Sequence, residues 1–113
     1  MVITQTFTVT VQNYLGANKY YIDGVRQDTV ALSEGNTYRF DQSDSSNSGH
    51  PLRLSTTSDG THSGGTQYTT GVTTNGTPGS AGAYTQITVA SGAPTLYYYC
   101  TNHSGMGGQA NTP

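Results

Sequence analysis

The stretch LYYYCTNHSGM, residues 96–106, decides the fold of this chain. Residues 96–99 are aromatic or branched, as is typical of a β-strand, and they lead into Cys100, the only cysteine of the protein. Because side chains alternate along a strand, Cys100 shares one face with Tyr98 and Leu96, while the other two tyrosines face the opposite way. We therefore predict a strand that directs the Cys100 side chain into the interior of a β-protein.

The same alternation continues upstream of this strand. Strands are predicted at residues 3–11, 29–32, 37–41, 52–55 and 84–89, and a hairpin is predicted with Asp23 and Gly24 at its turn. Residues 56–82 are rich in Gly, Thr and Ser, and we predict a flap with one short strand near Tyr68. Several short strands separated by turns favour an all-β, antiparallel sandwich.

Composition excludes several classes of function. The chain has 113 residues, enough for one domain, of which 9% are charged, and its formal net charge is -2. The four basic residues are scattered, so we expect no nucleic-acid or membrane-surface partner. A single cysteine excludes an internal disulfide, we expect no signal peptide, and no apolar stretch is long enough to span a bilayer.

Three soft or borderline metal ligands follow one another at a regular spacing. Cys100, His103 and Met106 form the pattern Cys-x2-His-x2-Met, and His50 precedes the strand at residues 52–55. Thiolate, imidazole and thioether suit copper better than magnesium or calcium. The sequence therefore predicts one copper ion bound by His50, Cys100 and His103, with Met106 as a weak axial ligand.

This pattern resembles that of the cupredoxins, the type 1 blue-copper proteins, with a spacing similar to that of the short-looped amicyanins. The resemblance implies a Greek-key β-sandwich or barrel, a Cu(I)/Cu(II) ion and outer-sphere electron transfer to a redox partner protein. His103 would present its outer edge to that partner within a nearly uncharged rim of Pro51, Gly105 and Met106. Residues 107–113 depart from the pattern because they are polar where a last apolar strand is usual. We therefore expect a cupredoxin-like domain at 1–106 and a polar tail or linker at 107–113, which leaves the sheet one strand short unless another segment fills the gap.

A second resemblance gives the alternative function. Residues 38–61 and 71–108 are similar to modules that recur in large virion proteins of marine bacteriophages. This resemblance implies a structural β-sandwich of a virion or surface protein, part of a larger polypeptide or assembly, that holds a metal for stability or none. The location would be the virion or extracellular space in that case, and otherwise the periplasm, as a mature form.

Other chemistry is weighed against the copper site. Zinc could take Cys100, His50 and His103, although its structural sites usually have four N, S or O ligands and no thioether. His62, in the flap, is the fallback ligand if His50 is turned away. A thiol hydrolase needs an exposed cysteine and an oxyanion hole, which an inward-facing Cys100 does not offer. We therefore expect that the protein is not an enzyme.

Overall fold

The fold is built almost wholly of strands, in a computed structural model that describes residues 2–113. The ten strands are β1 (Gln5–Tyr14), β2 (Ala17–Ile22), β3 (Val25–Arg26), β4 (Val30–Ala31), β5 (Thr37–Asp41), β6 (Leu52–Ser55), β7 (Val72–Asn75), β8 (Tyr84–Thr88), β9 (Leu96–Cys100) and β10 (Gly108–Asn111). Two short 3-10 helices lie at Ser45–Asn47 and Gly60–Ser63. The prediction of an all-β fold is confirmed, and no helix within residues 2–113 is long and apolar enough to cross a membrane.

Two sheets pack face to face as a sandwich. The larger sheet has the order β3-β2-β1-β5-β8-β7, and the smaller has the order β4-β10-β9-β6. Alternate residues of both sheets point inward and form one core, because each strand has an apolar face. The buried core residues are Phe7, Val9, Tyr20, Ile22, Val30, Leu32, Tyr38, Phe40, Leu52, Leu54, Ile87, Val89, Leu96, Tyr98, Cys100, Met106 and Ala110.

The predicted sandwich is confirmed, but its sheets are mixed: most strand pairs are antiparallel and two are parallel. The first half of β1 runs parallel to β5, with Phe7 opposite Phe40, and β10 runs parallel to β4. The chain passes from β3 to β4 in the other sheet before it enters β5, and this crossover allows β5 to run in the direction of β1. Greek-key connectivity stays a prediction.

Two tight turns shape the hairpins of the larger sheet. Asp23 and Gly24 both have positive φ, and Ile22 pairs with Val25, which confirms the predicted hairpin. A second two-residue turn uses Leu15 and Gly16, at φ of 52° and 88°. The sequence did not indicate this turn, because a branched residue rarely adopts positive φ. Strand β1 therefore extends to Tyr14, beyond its predicted end.

Strand β10 corrects the prediction of a polar tail or linker at 107–113. It pairs with β9, with Ala110 opposite Leu96, and it fills the place of the strand expected to be missing. A Cβ at Gly107 would run into the backbone carbonyl of Tyr98, so glycine permits the close approach of the chain to β9. A polar segment can form this strand because the hydrogen bonds of a β-sheet come from the backbone and because Ala110 is the only buried residue of β10.

The long irregular stretch at 56–82 contains one strand, as predicted, but at a different place. Tyr68 donates its backbone N–H to Leu54, and the strand itself, β7, begins at Val72 and pairs with β8. Ahead of it, the 3-10 helix at Gly60–Ser63 lies against β9 on the face turned away from the core. This placement brings the flap next to the end of β9, where Cys100 lies.

Candidate metal centre

Strands β6 and β9 bring the first two candidate ligands to one end of the sandwich. They pair antiparallel with Leu52 opposite Cys100, so the start of one strand meets the end of the other. Cys100 is fully buried in the core, as the alternation predicts, and His50 lies just before β6 and is also buried. His103 follows on the loop after β9 and is exposed.

The three side chains converge on one point. Cys100 Sγ lies 3.8 Å from Nδ1 of His50 and 3.7 Å from Nδ1 of His103. The two imidazole rings are 4.7 Å apart between centroids, and one ligand atom from each of the three residues lies within 4.8 Å of the others. The structure therefore brings together the His-Cys-His group that the sequence predicts.

These separations fit a shared metal ion. Bonds of about 2.3 Å to sulfur and about 2.0 Å to nitrogen, meeting at roughly 120°, place the two ligand atoms about 3.7 Å apart. Both measured S–N separations lie within about 0.1 Å of that value. The three residues can therefore hold a metal ion without moving their strands, whereas the geometry of the donors alone does not select the metal.

Met106 lies nearby and is buried. Its side chain is 1% exposed and belongs to the core, and its backbone carbonyl accepts from the N–H of Tyr20 at 2.9 Å. Because Met106 is buried, it does not form part of the nearly uncharged rim that the sequence predicts around His103. The rim also carries a charge, because the Lys19 ammonium donates to the Gly105 carbonyl at 2.7 Å.

A buried polar network fixes His50. Its carbonyl accepts from the Tyr20 hydroxyl at 2.6 Å and from Gln42 Nε2 at 2.7 Å. The Gln42 amide also donates to Asn47 at 3.1 Å and accepts from the N–H of Leu52 at 3.0 Å. One buried side chain thus holds the chain on both sides of Pro51, immediately after the candidate ligand.

Sequence analysis missed the polar members of this network. Gln42 and Asn47 lie in a polar loop that predicted only a connection to His50, yet both are buried. The sequence does contain a signal for the 3-10 helix in this loop. Asp44 precedes two serines, and its side chain caps the helix by accepting from the N–H of Ser46.

Electrostatics favours a neutral imidazole at His50. Burial, and then the proximity of His103, lower the pKa of His50 from its ordinary value. A metal ion needs the unprotonated ring nitrogen, so this shift keeps His50 available as a ligand at neutral pH.

The fallback ligand has a different position. His62 is not part of the His-Cys-His group, and its Nε2 donates instead to the backbone carbonyl of Cys100 at 2.7 Å. On the other side of the group, the Asn102 amide donates to the carbonyl of Gly49 at 3.0 Å, which joins the ligand loop to the chain before His50. Both hydrogen bonds are accepted by backbone carbonyls beside the His-Cys-His group, those of Cys100 and Gly49.

Neither the known protein-family profiles nor the curated proteins contain a match to this chain.

Proposed function

We propose that the chain binds one copper ion through His50, Cys100 and His103 and serves as an electron-transfer protein or module. The observation that supports this proposal is the near-equal distance from the Cys100 thiol to Nδ1 of both imidazoles. A trigonal set of one thiolate and two imidazoles is the ligand set of blue-copper electron-transfer sites.

The choice of copper depends on the fourth ligand. Zinc sites usually close with a fourth N, S or O donor, and within residues 2–113 no further His, Cys, Asp or Glu joins the group. Met106 is buried nearby and offers a thioether, a soft and weak donor that suits copper. Met106 as the axial ligand is therefore part of the proposal.

The chain would contribute rigidity and a route for the electron. When bound, the ion would supply a one-electron couple between Cu(I) and Cu(II). Burial of Cys100 shields the thiolate from water and oxidants, and the network around Gln42 holds His50 in one position. His103 is the exposed member of the group, so its outer edge is the point at which a redox partner protein would approach.

Family and setting belong to the same proposal. The order of the four residues, their spacing and the β-sandwich support membership of the cupredoxin family. Under this proposal the protein performs no catalysis, and its partner is another redox protein rather than nucleic acid or a membrane.

The test is a titration of the metal-free protein with Cu(II). We expect saturation at one equivalent and an intense visible absorption band from the thiolate. Cys100→Ser should abolish the band and keep the far-UV circular dichroism of a β-protein. His62→Ala removes the third histidine and should keep the band at saturating Cu(II), because His62 is not part of the His-Cys-His group.

Three results would contradict the proposal. A coloured Cys100→Ser protein would show that the thiolate is not the ligand. Loss of the band in His62→Ala at saturating Cu(II) would show that His62 is a ligand, against the proposal. A wild-type protein that binds no copper and stays colourless would favour the alternative, a structural module of a virion or surface protein.

A further inference from the structure

A short segment of the flap, residues 59–62, covers the outer face of β9 next to the ligand loop. Tyr99 points away from the core, yet it is fully buried. The backbone of Gly60 lies against its ring, so that a Cβ at this position would collide with the ring carbons, and His62 meets the same ring edge-on. Close packing of this kind fixes the segment on the strand that ends in Cys100.

Two hydrogen bonds join this segment to the ligand loop, one near each end. His62 Nε2 donates to the carbonyl of Cys100 at 2.7 Å, where the loop begins. Asp59 Oδ1 accepts from the N–H of Gly105 at 2.8 Å, just before Met106. The four residues 59–62 of the flap therefore span the part of the loop that carries His103.

The backbone of the segment is bent to make these contacts. Asp59 has a φ of 61° and Gly60 a φ of 53°, both in the left-handed region. Non-glycine residues avoid this region, and aspartate is among the few that tolerate it. The conformation points the Asp59 carboxylate at the Gly105 amide, an acceptor that an apolar residue could not provide.

We propose that residues 59–62 form a clamp that holds the ligand loop in its metal-binding shape before the metal arrives. Asp59 and His62 are its positioning residues, and neither touches the metal. A loop fixed in advance keeps its ligands within the narrow range of positions that a metal site needs. The role of the loop as a ligand loop is taken from the proposed function, whereas the clamp itself is a property of the metal-free protein.

The first test uses amide hydrogen exchange of the metal-free protein, measured by NMR at Gly105. Asp59→Gly removes the carboxylate and favours the same positive φ, so it deletes the hydrogen bond without adding strain. We expect exchange of the Gly105 amide to rise about tenfold in this variant. Asp59→Asn keeps an oxygen acceptor and tolerates the left-handed region, so it should restore protection. Equal exchange in wild type and Asp59→Gly would overturn the clamp.

The second test measures release of Cu(II) to a chelator. We expect Asp59→Gly and His62→Ala each to release copper about tenfold faster than wild type, with Asp59→Asn close to wild type. Thr61→Ala is the matched control, since Thr61 is an exposed neighbour in the same 3-10 helix. Unchanged release in both variants would overturn the positioning role.

The two tests separate this inference from the proposed function. If the wild-type protein takes up no copper, the proposed function fails, and amide exchange at Gly105 still decides whether the clamp exists. If copper binds and Gly105 exchanges equally in wild type and Asp59→Gly, the proposed function stands and the clamp is wrong.

Discussion

The two supports of the candidate metal centre are built in opposite ways. His50 is held from inside, by Gln42 and Tyr20, which are 1% and 0% exposed and make their hydrogen bonds within the core. The loop that carries His103 is held from outside, by Asp59 and by the exposed His62. Buried polar groups are costly to leave unpaired, whereas exposed ones can turn to water.

Because of this difference, we expect the inner support to affect mainly the stability of the fold and the outer support to affect mainly metal binding. The inner support is also part of the core, so its loss should lower the free energy of unfolding with or without metal. The outer support contacts the loop and little of the core, so its loss should change the metal site and leave the fold nearly as stable. Each prediction below tests one side of this contrast.

The largest effect is expected at Gln42. Gln42→Ala removes the acceptor of the Leu52 N–H and the donor to Asn47 Oδ1 and opens a cavity, so the free energy of unfolding should fall by roughly 3 kcal/mol. Urea unfolding of the metal-free protein measures this loss. Gln12→Ala on the exposed face of β1 is the matched control, with an expected change within about 0.5 kcal/mol. A loss at Gln42 no larger than that at Asp59→Gly would remove the contrast.

The next effect distinguishes the two histidines by exposure. His50→Gly and His103→Gly each remove one of three ligands and should weaken copper binding at least about 100-fold. Added imidazole should restore the visible band in His103→Gly, because that side is open to solvent, and should fail in His50→Gly. Absorption titrations with and without imidazole measure both. Rescue of His50→Gly to the same extent would show that the inner side is not closed.

Sequence reasoning predicted the parts of the molecule that depend on local pattern. Alternating side chains located most strands, and the short Cys-x2-His-x2-Met spacing indicated residues that the fold brings near one another. The Asp23-Gly24 hairpin followed from turn chemistry, whereas the turn at Leu15 broke the usual preference.

The parts that sequence reasoning missed depend on distant partners. Strand β10 has few apolar residues, and its pairing comes from backbone groups of β4 and β9. Gln42 is polar and buried because its amide has partners from elsewhere in the chain. Tyr99 is buried because the flap packs on it, with the backbone of Gly60 against its ring. None of these contacts leaves a periodic pattern in the sequence.

A smaller effect is expected from the second member of the inner support. Tyr20→Phe removes one hydroxyl donor to the His50 carbonyl while Gln42 still donates there, so the protein should lose about 1 kcal/mol of unfolding free energy. Thermal or urea unfolding measures the loss. A loss as large as that of Gln42→Ala would show that the Tyr20 hydroxyl supports His50 as much as the Gln42 amide does.

The same variant gives a pH dependence with a definite sign. Burial, and then the nearby Cys100, raise the pKa of Tyr20 above its ordinary value. The folded protein therefore keeps the phenol proton above about pH 10, where the unfolded chain loses it. The stability advantage of wild type over Tyr20→Phe should be constant below about pH 10 and shrink above it. A constant advantage through that range would contradict the raised pKa.

The smallest effect is expected at Pro51, where the inner support meets the thiol. Residue 51 lies between His50 and Leu52, and Leu52 is opposite Cys100, so residue 51 lies beside the end of β9 that carries the thiol. Proline has no N–H, so residue 51 cannot donate a backbone hydrogen bond to the Cys100 sulfur. A donor to the thiolate withdraws electron density and favours Cu(I).

One hydrogen bond of about 1 kcal/mol corresponds to roughly 40 mV for a one-electron couple, so Pro51→Ala should raise the reduction potential by tens of millivolts. Voltammetry of the copper-loaded protein measures this shift, and Pro94→Ala, at an exposed position in the loop before β9, is the matched control. An unchanged or lower potential in a folded, copper-loaded Pro51→Ala protein would show that the missing N–H does not set the potential.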